Sequence, residues 1–200
     1  MCVTDAIWSI GVDYVRHVLP VMDRFDSYRD RFGLAIRTSA EYLDHFNEHL
    51  DDEGAWLADH IYFNHQRTST ASGIMKSFAI QQTLQILNDE QLQTPHDLLA
   101  KIADTTLRAR LKAVPGDSIG VRTDYIFMLS GCTELAKLDG QISRFLGIQF
   151  NSANRLIAIG QLTAVTALLK AEFPCVNVRS IDHFIWKWQS RSDDGFERHT

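Results

Sequence analysis

Apolar residues recur at three- and four-residue intervals through nearly every segment of this chain, and the β-branched alternation that builds a strand is scarce. That period admits helices and little else. With 200 residues, 45% of them apolar, the chain is long enough for its helices to bury a core. The expected architecture is all-α and compact, with short loops. It is read as one domain over 1–200, which could divide into two helical lobes with a cleft between them.

The pattern places the helices in order. Residues 5–30 read as one or two amphipathic helices with a break near Pro20. Ser39 is expected to cap a helix running to His49, with Tyr42, Leu43, Phe46 and Leu50 on its apolar stripe. Residues 54–65 carry Trp56, Leu57, Ile61 and Tyr62. A polar run, Asn64 to Thr70, interrupts the apolar pattern before a helix expected from Ala71 to Leu87. Thr94 and Pro95 predict a capped helix over 95–103. Leu107, Leu111 and Val114 mark the next helix, which Pro115-Gly116 ends. Further helices are expected from Gly120 to Leu129 and over 140–147, 152–172 and 181–189, followed by a polar tail.

Composition narrows the class of protein. No apolar run approaches the roughly 20 residues of a membrane span, and the first residues lack the basic region and cleavage pattern of a signal peptide. Cys2, Cys132 and Cys175 are odd in number and far apart, so neither a disulfide framework nor a zinc site is suggested. His45 and His49 stand four residues apart without a third ligand, and no metal or cofactor is expected. The chain reads as cytoplasmic and monomeric. Its net charge of −5 counts against a nucleic-acid partner. Against that, Lys101, Arg108, Arg110, Lys112 and Arg122 gather around Pro115-Gly116; they form either a cationic face or an ordinary solvated helix surface.

The most informative stretch runs from Leu111 to Leu146. Pro115 and Gly116 permit a sharp reversal, and Gly120 lets the backbone come close to a ligand. The free N–H groups opening the next helix would favour an anion. Asp139 follows a loop and precedes another helix. A carboxylate there can stabilise an oxocarbenium-like centre or activate a water, or it can simply cap the helix it precedes.

Val114-Pro115-Gly116, Gly120, Arg122-Thr123, and Lys137-Leu138-Asp139 followed by Gln141-Ile142-Ser143-Arg144-Phe145 together resemble the helix–hairpin–helix DNA glycosylase superfamily. Its signature is a Leu-Pro-Gly hairpin, a helix, and a catalytic aspartate opening the next helix. The match covers about 36 residues, from Leu111 to Leu146. Ile181-Asp182-His183-Phe184-Ile185-Trp186 is similar to a C-terminal helix of compact bacterial members. The resemblance implies a monofunctional DNA glycosylase that acts on a damaged or modified base in double-stranded DNA, in repair or against foreign phage DNA, and leaves an abasic site. Asp139 would be the catalytic acid. Gly116, Ser118, Gly120, Arg122 and Thr123 would hold the DNA backbone. Asn64, His65, Gln66 and Arg67 would fill the space left by a flipped base.

Two departures shape that expectation. Asp117-Ser118-Ile119 lengthens the hairpin and puts a negative charge where a phosphate would sit. Arg122 occupies the position at which bifunctional members carry a nucleophilic lysine, and a guanidinium forms no Schiff base. The iron–sulfur loop of some members is absent. Trp56, Tyr62, Tyr125, His183 and Trp186, with Trp188, are the candidates for a base pocket, each with core packing as its plainer explanation. Asp182 beside His183 is read as a polar pair. The alternatives are a non-enzymatic protein that uses the hairpin to recognise distorted DNA, and an interaction domain that has lost DNA altogether.

Overall fold

The computed structural model describes residues 1–51, 53–70, 72–151 and 153–193. Every regular element among them is helical, and an isolated antiparallel bridge pairs Arg67 with Met75. The all-α class is therefore correct. The chain divides into two compact units, Met1–Ser130 and Gly131–Thr200. Among the described residues no helix is long and apolar enough to cross a membrane.

The first unit contains α1 (Cys2–Trp8), α2 (Leu19–Arg31), α3 (Ser39–His45), the single turn α4 (Ala55–Leu57), α5 (Lys76–Asp89), α6 (Pro95–Ala100), α7 (Thr105–Ala113) and α8 (Val121–Leu129). Wider π-type turns at Tyr14–Val18 and Ala58–Tyr62 lead into α2 and follow α4. The break expected near Pro20 falls earlier, around Gly11, which has a positive φ of 64°. Pro20 sits in the first turn of α2, where a missing N–H costs nothing. Capping also moves by one residue in α3. Thr38, not Ser39, accepts the Glu41 N–H, and the Glu41 carboxylate accepts the Thr38 N–H in return. Thr94 and Asp97 form the same reciprocal cap on α6.

The helix expected from Ala71 begins later, at Lys76. Its expected start lies outside the described residues, as does most of the polar tail after Gln189. The cause of the delay is local pairing. Thr68 N–H donates to the Ile74 carbonyl, Lys76 N–H donates to the Gln66 carbonyl, and Arg67 Nε donates to the Gly73 carbonyl. This stretch is bridged on itself before α5 starts.

The core of this unit is aromatic. Trp8 and Tyr62 rings stand 5.4 Å apart, Phe25 lies 5.9 Å from Tyr62, and the Tyr42 and Tyr62 hydroxyls are 2.9 Å apart. Lys76 is buried beside it. Its ammonium donates to the Trp8 and Ile10 carbonyls, each at 2.9 Å, and to Gln66 Oε1 at 3.2 Å, with the Trp8 ring 5.7 Å away. A cation thereby satisfies the carbonyls that α1 leaves open at its end, which ties α1 to α5.

The second unit contains α9 (Gly140–Leu146), α10 (Arg155–Leu169) and α11 (Val178–Asp193), with α11 packed on both others. Its core among the described residues is small: Cys132, Ala136, Leu138, Ile142, Ala158, Leu162, Val178, Ile181 and Ile185. Asp139 caps α9, and Gly147 at φ 67° ends it in the left-handed conformation that glycine adopts without strain.

Replacing Lys76 with Met should cost about 2–4 kcal/mol, because two helix-end carbonyls lose a buried donor. Urea unfolding of the full chain, followed through tryptophan fluorescence, measures it.

Candidate functional site

The candidate residues fall in both units. In the first, α7 and α8 are joined by the turn Val114–Gly120, so a helix–turn–helix stands where the hairpin was expected. Its polar groups face inward. The buried Asp117 carboxylate accepts the Arg122 N–H at 2.8 Å, the Thr123 N–H at 2.9 Å and the Thr123 hydroxyl at 2.5 Å. These are N–H groups at the start of α8 that an external phosphate would have used. Gly120 N–H donates to the Asp117 carbonyl.

Arg122 does not face outward either. It is buried, and its guanidinium donates to the carbonyls of Leu111 at 2.7 Å, Val114 at 2.9 Å and Pro115 at 3.0 Å. Burial lowers its hold on the proton and the Asp117 charge restores part of it. The expected roles of Arg122 and Thr123 as DNA contacts are thus corrected: both are internal. Gly116 has a φ of 97°, and a Cβ there would lie 2.6 Å from the Thr68 side chain, so this glycine accommodates Thr68. Ser118 is exposed at the tip.

Three more of the basic residues around the turn are also engaged. Arg108 pairs with the buried Asp124, Arg110 with Asp89 and Glu90, and Lys101 with Asp104 at 3.5 Å. An open cationic face is not what these residues build. The negative excess lies in the same unit. Residues 1–130 hold twelve Lys and Arg against eighteen Asp and Glu, whereas residues 131–200 hold eight against seven.

The polar run is tied back as well. Asn64 Oδ1 accepts the Gln66 N–H, His65 Nε2 lies 2.7 Å from Asp59 Oδ1, Gln66 receives Lys76, and Arg67 holds the Gly73 carbonyl. Gln66 is half-buried, with its side-chain oxygen accepting from the Lys76 ammonium. Two proposed pocket aromatics are corrected for the same reason. Tyr62 is fully buried, bonded to Tyr42. Trp56 is sandwiched between His49 at 3.7 Å and His60 at 4.6 Å, so both faces of its ring are covered. Tyr125 is half-buried on α8.

The second unit gathers Lys137, Asp139, Asp182, His183 and Trp186. Asp139 Oδ1 accepts the Gln141 N–H at 2.9 Å and faces that of Ile142 at 3.5 Å, while Oδ2 stands 3.7 Å from the Lys137 ammonium. Its side chain is 28% exposed, so the carboxylate is held in one orientation yet reachable. Asp182, on α11, accepts the Lys137 backbone N–H at 2.9 Å. Burial, and next the Asp139 charge, push the Asp182 carboxyl up to about 7, against the pull of the Lys137 N–H and the Lys137 and Arg179 charges. The expected Asp182–His183 pair is replaced by Asp182–Lys137. His183 is exposed and lies parallel to the half-buried Trp186, with ring centroids 6.0 Å apart. Trp188 is 57% exposed.

Sequence reasoning passed over Asp182 as a partner of Asp139. The two are 43 positions apart, and only the packing of α11 against α9 brings them together. Among the described residues no group of three or more His, Cys, Asp or Glu side chains could hold a metal ion.

The family model described as Domain of unknown function (DUF8548) matches residues 1–190, and the chain belongs to that family. No curated protein and no solved structure matches the chain.

Asp117→Ala should destabilise the first unit by about 3–5 kcal/mol, since it strips a buried guanidinium of its countercharge and α8 of its cap. Chemical denaturation, with amide exchange at Arg122 and Thr123, reads the loss. Asp182 gives a pH signature. The folded chain keeps a proton on Asp182 up to about 7, whereas the unfolded chain releases it near 3.8. The resulting stabilisation is complete below the lower value and is lost as pH rises to the upper one. Across that window the stability of the native chain should fall by roughly 1–3 kcal/mol relative to Asp182→Asn, as read from parallel denaturation curves.

Proposed function

We propose that this chain hydrolyses the N-glycosidic bond of a damaged or modified base in double-stranded DNA and leaves an abasic site without cutting the strand. The observation that carries the reading is the Asp139 carboxylate. It is anchored by N–H groups of α9 and by Lys137, and it remains partly exposed. A carboxylate so fixed can face the positive charge that develops on the sugar as the base departs, and can direct a water to C1′.

Chain order supports it, with Asp139 following the α7–turn–α8 element as in the helix–hairpin–helix glycosylases that this stretch resembles. The buried Arg122, bonded to three carbonyls, is neither a Schiff-base nucleophile nor a phosphate contact, which favours base release alone. DNA contact is better assigned to the second unit, where basic residues slightly outnumber acidic ones, than to the sealed hairpin. The His183–Trp186 pair is the aromatic surface nearest in sequence to the Asp139 partner Asp182, and it could receive an extruded base. Bases of damaged host DNA and modified bases of foreign DNA both fit this reading.

A non-enzymatic DNA-binding role is favoured by one observation: Asp139 is fully accounted for as the N-cap of α9. Activity separates the two. The purified chain, presented with duplexes carrying damaged bases and with genomic and phage DNAs, should yield alkali-labile abasic sites and release a free base detectable by mass spectrometry. Asp139→Asn should lower that rate by about 10²–10⁴-fold while DNA binding is retained. Borohydride should trap no covalent adduct. Absence of abasic sites across the whole panel, or an Asp139→Asn variant as fast as the native chain, would overturn the enzymatic reading.

A further inference from the structure

Lys137 joins two carboxyl groups. Its backbone N–H donates to Asp182 at 2.9 Å and its ammonium stands 3.7 Å from Asp139. Asp139 has the richer compensation, with helix N–H groups at one oxygen and the ammonium at the other. Asp182 has the Lys137 backbone N–H at one oxygen. Two acids so placed cannot both ionise without cost, and the one with less compensation keeps its proton. Arg179 also acts on Asp182, and the elements packed against α11 carry further charges. Arg179 lies one turn earlier on α11, α9 carries Arg144, which donates to Gln141 Oε1, and Arg155 opens α10.

We infer that Asp139 and Asp182 form an acid–base couple in which Asp182 donates a proton to the departing base while Asp139 takes one from the attacking water. The inference rests on the glycosidic reading above and deepens it. As the C1′–N bond breaks, its electron pair leaves on the base, and the Asp182 O–H protonates a base nitrogen or oxygen and becomes a carboxylate. The water oxygen forms the new bond to C1′, and its proton passes to Asp139. The couple then holds its proton on the wrong partner, and transfer from Asp139 to Asp182 restores the starting state. Water is the only co-reactant consumed.

A built-in proton donor implies a class of substrate. A base already cationic through ring alkylation departs as a neutral molecule and needs no proton. A neutral modified base is a poor leaving group until protonated. The couple therefore fits neutral modified bases.

Two measurements on the 200-residue chain test this. The first is a carbon-detected NMR titration of aspartate carboxyls. One signal should titrate near neutrality, vanish in Asp182→Asn, and move down toward the ordinary carboxylate range in Asp139→Asn. If Asp182 titrates in that ordinary range in the native chain, the couple is overturned whether or not activity has been found. The second is single-turnover base release across pH 5–9. On a duplex with a neutral modified base, the native rate should fall about tenfold per pH unit above neutrality. Asp182→Asn should lose about 10²–10³-fold and with it that descending limb, and should lose at least tenfold less on a duplex with a cationic N7-alkylated purine. If Asp182→Asn keeps both rate and pH profile on the neutral base, the donor role fails while the Asp139 assignment stands. If no base is released by the native chain, the glycosidic reading fails and takes the donor role with it.

Discussion

The corner between α7 and α8 depends on one exchange of helix ends. Asp117 supplies the acceptor for N–H groups opening α8, and Arg122 supplies donors for the carbonyls closing α7. Each side chain is buried, and each would be costly to bury alone. A carboxylate without donors or a guanidinium without acceptors loses several kcal/mol of hydration. Together they complete the unsatisfied groups that two helix termini leave when they meet. The same exchange closes this corner to an external anion. An insertion that looks in sequence like a lengthened phosphate loop serves as an internal clasp.

In the second unit the Asp139 side chain stays partly exposed. There, Lys137 arranges two acids differently, its ammonium near one and its backbone N–H on the other. Burial, and next the Asp139 charge, raise the proton affinity of the Asp182 carboxyl, because the environment of the charged form, rather than residue type, sets where a carboxyl titrates. Charge is distributed unevenly between the two units. The acidic excess belongs to residues 1–130, where Lys101, Arg108 and Arg110 are engaged in ion pairs with it.

Exposure on α10 and α11 follows from the small size of the second unit. On α10 only Ala158, Leu162 and Thr166 are buried, a single stripe at four-residue spacing, and Leu156, Ile157 and Leu168 stand in solvent. A unit with three helices has too little interior for an apolar surface of that width.

Helical period, caps and breakers were legible in the residues, since they act over a few positions: Thr94-Pro95 opened a helix, Pro115-Gly116 closed one, and Asp139 stood at the start of another. Boundaries shifted where a neighbour competed locally, as when Thr38 capped α3 in place of Ser39 and the bridge between Arg67 and Met75 delayed α5. The direction in which side chains turn was not legible. Arg122, Gln66, Tyr62 and Trp56 each had a reasonable outward role, and each faces inward or is covered, because burial and pairing depend on residues distant in sequence. Asp182 shows the converse, an acid that seemed to belong to its neighbour His183 and instead shares Lys137 with Asp139. By itself the sequence determined that this chain is helical and that Asp139 opens a helix, because period and capping are local. Only the tertiary structure decided which polar groups are free to act on another molecule, because hydrogen-bond satisfaction is settled by whatever packs alongside.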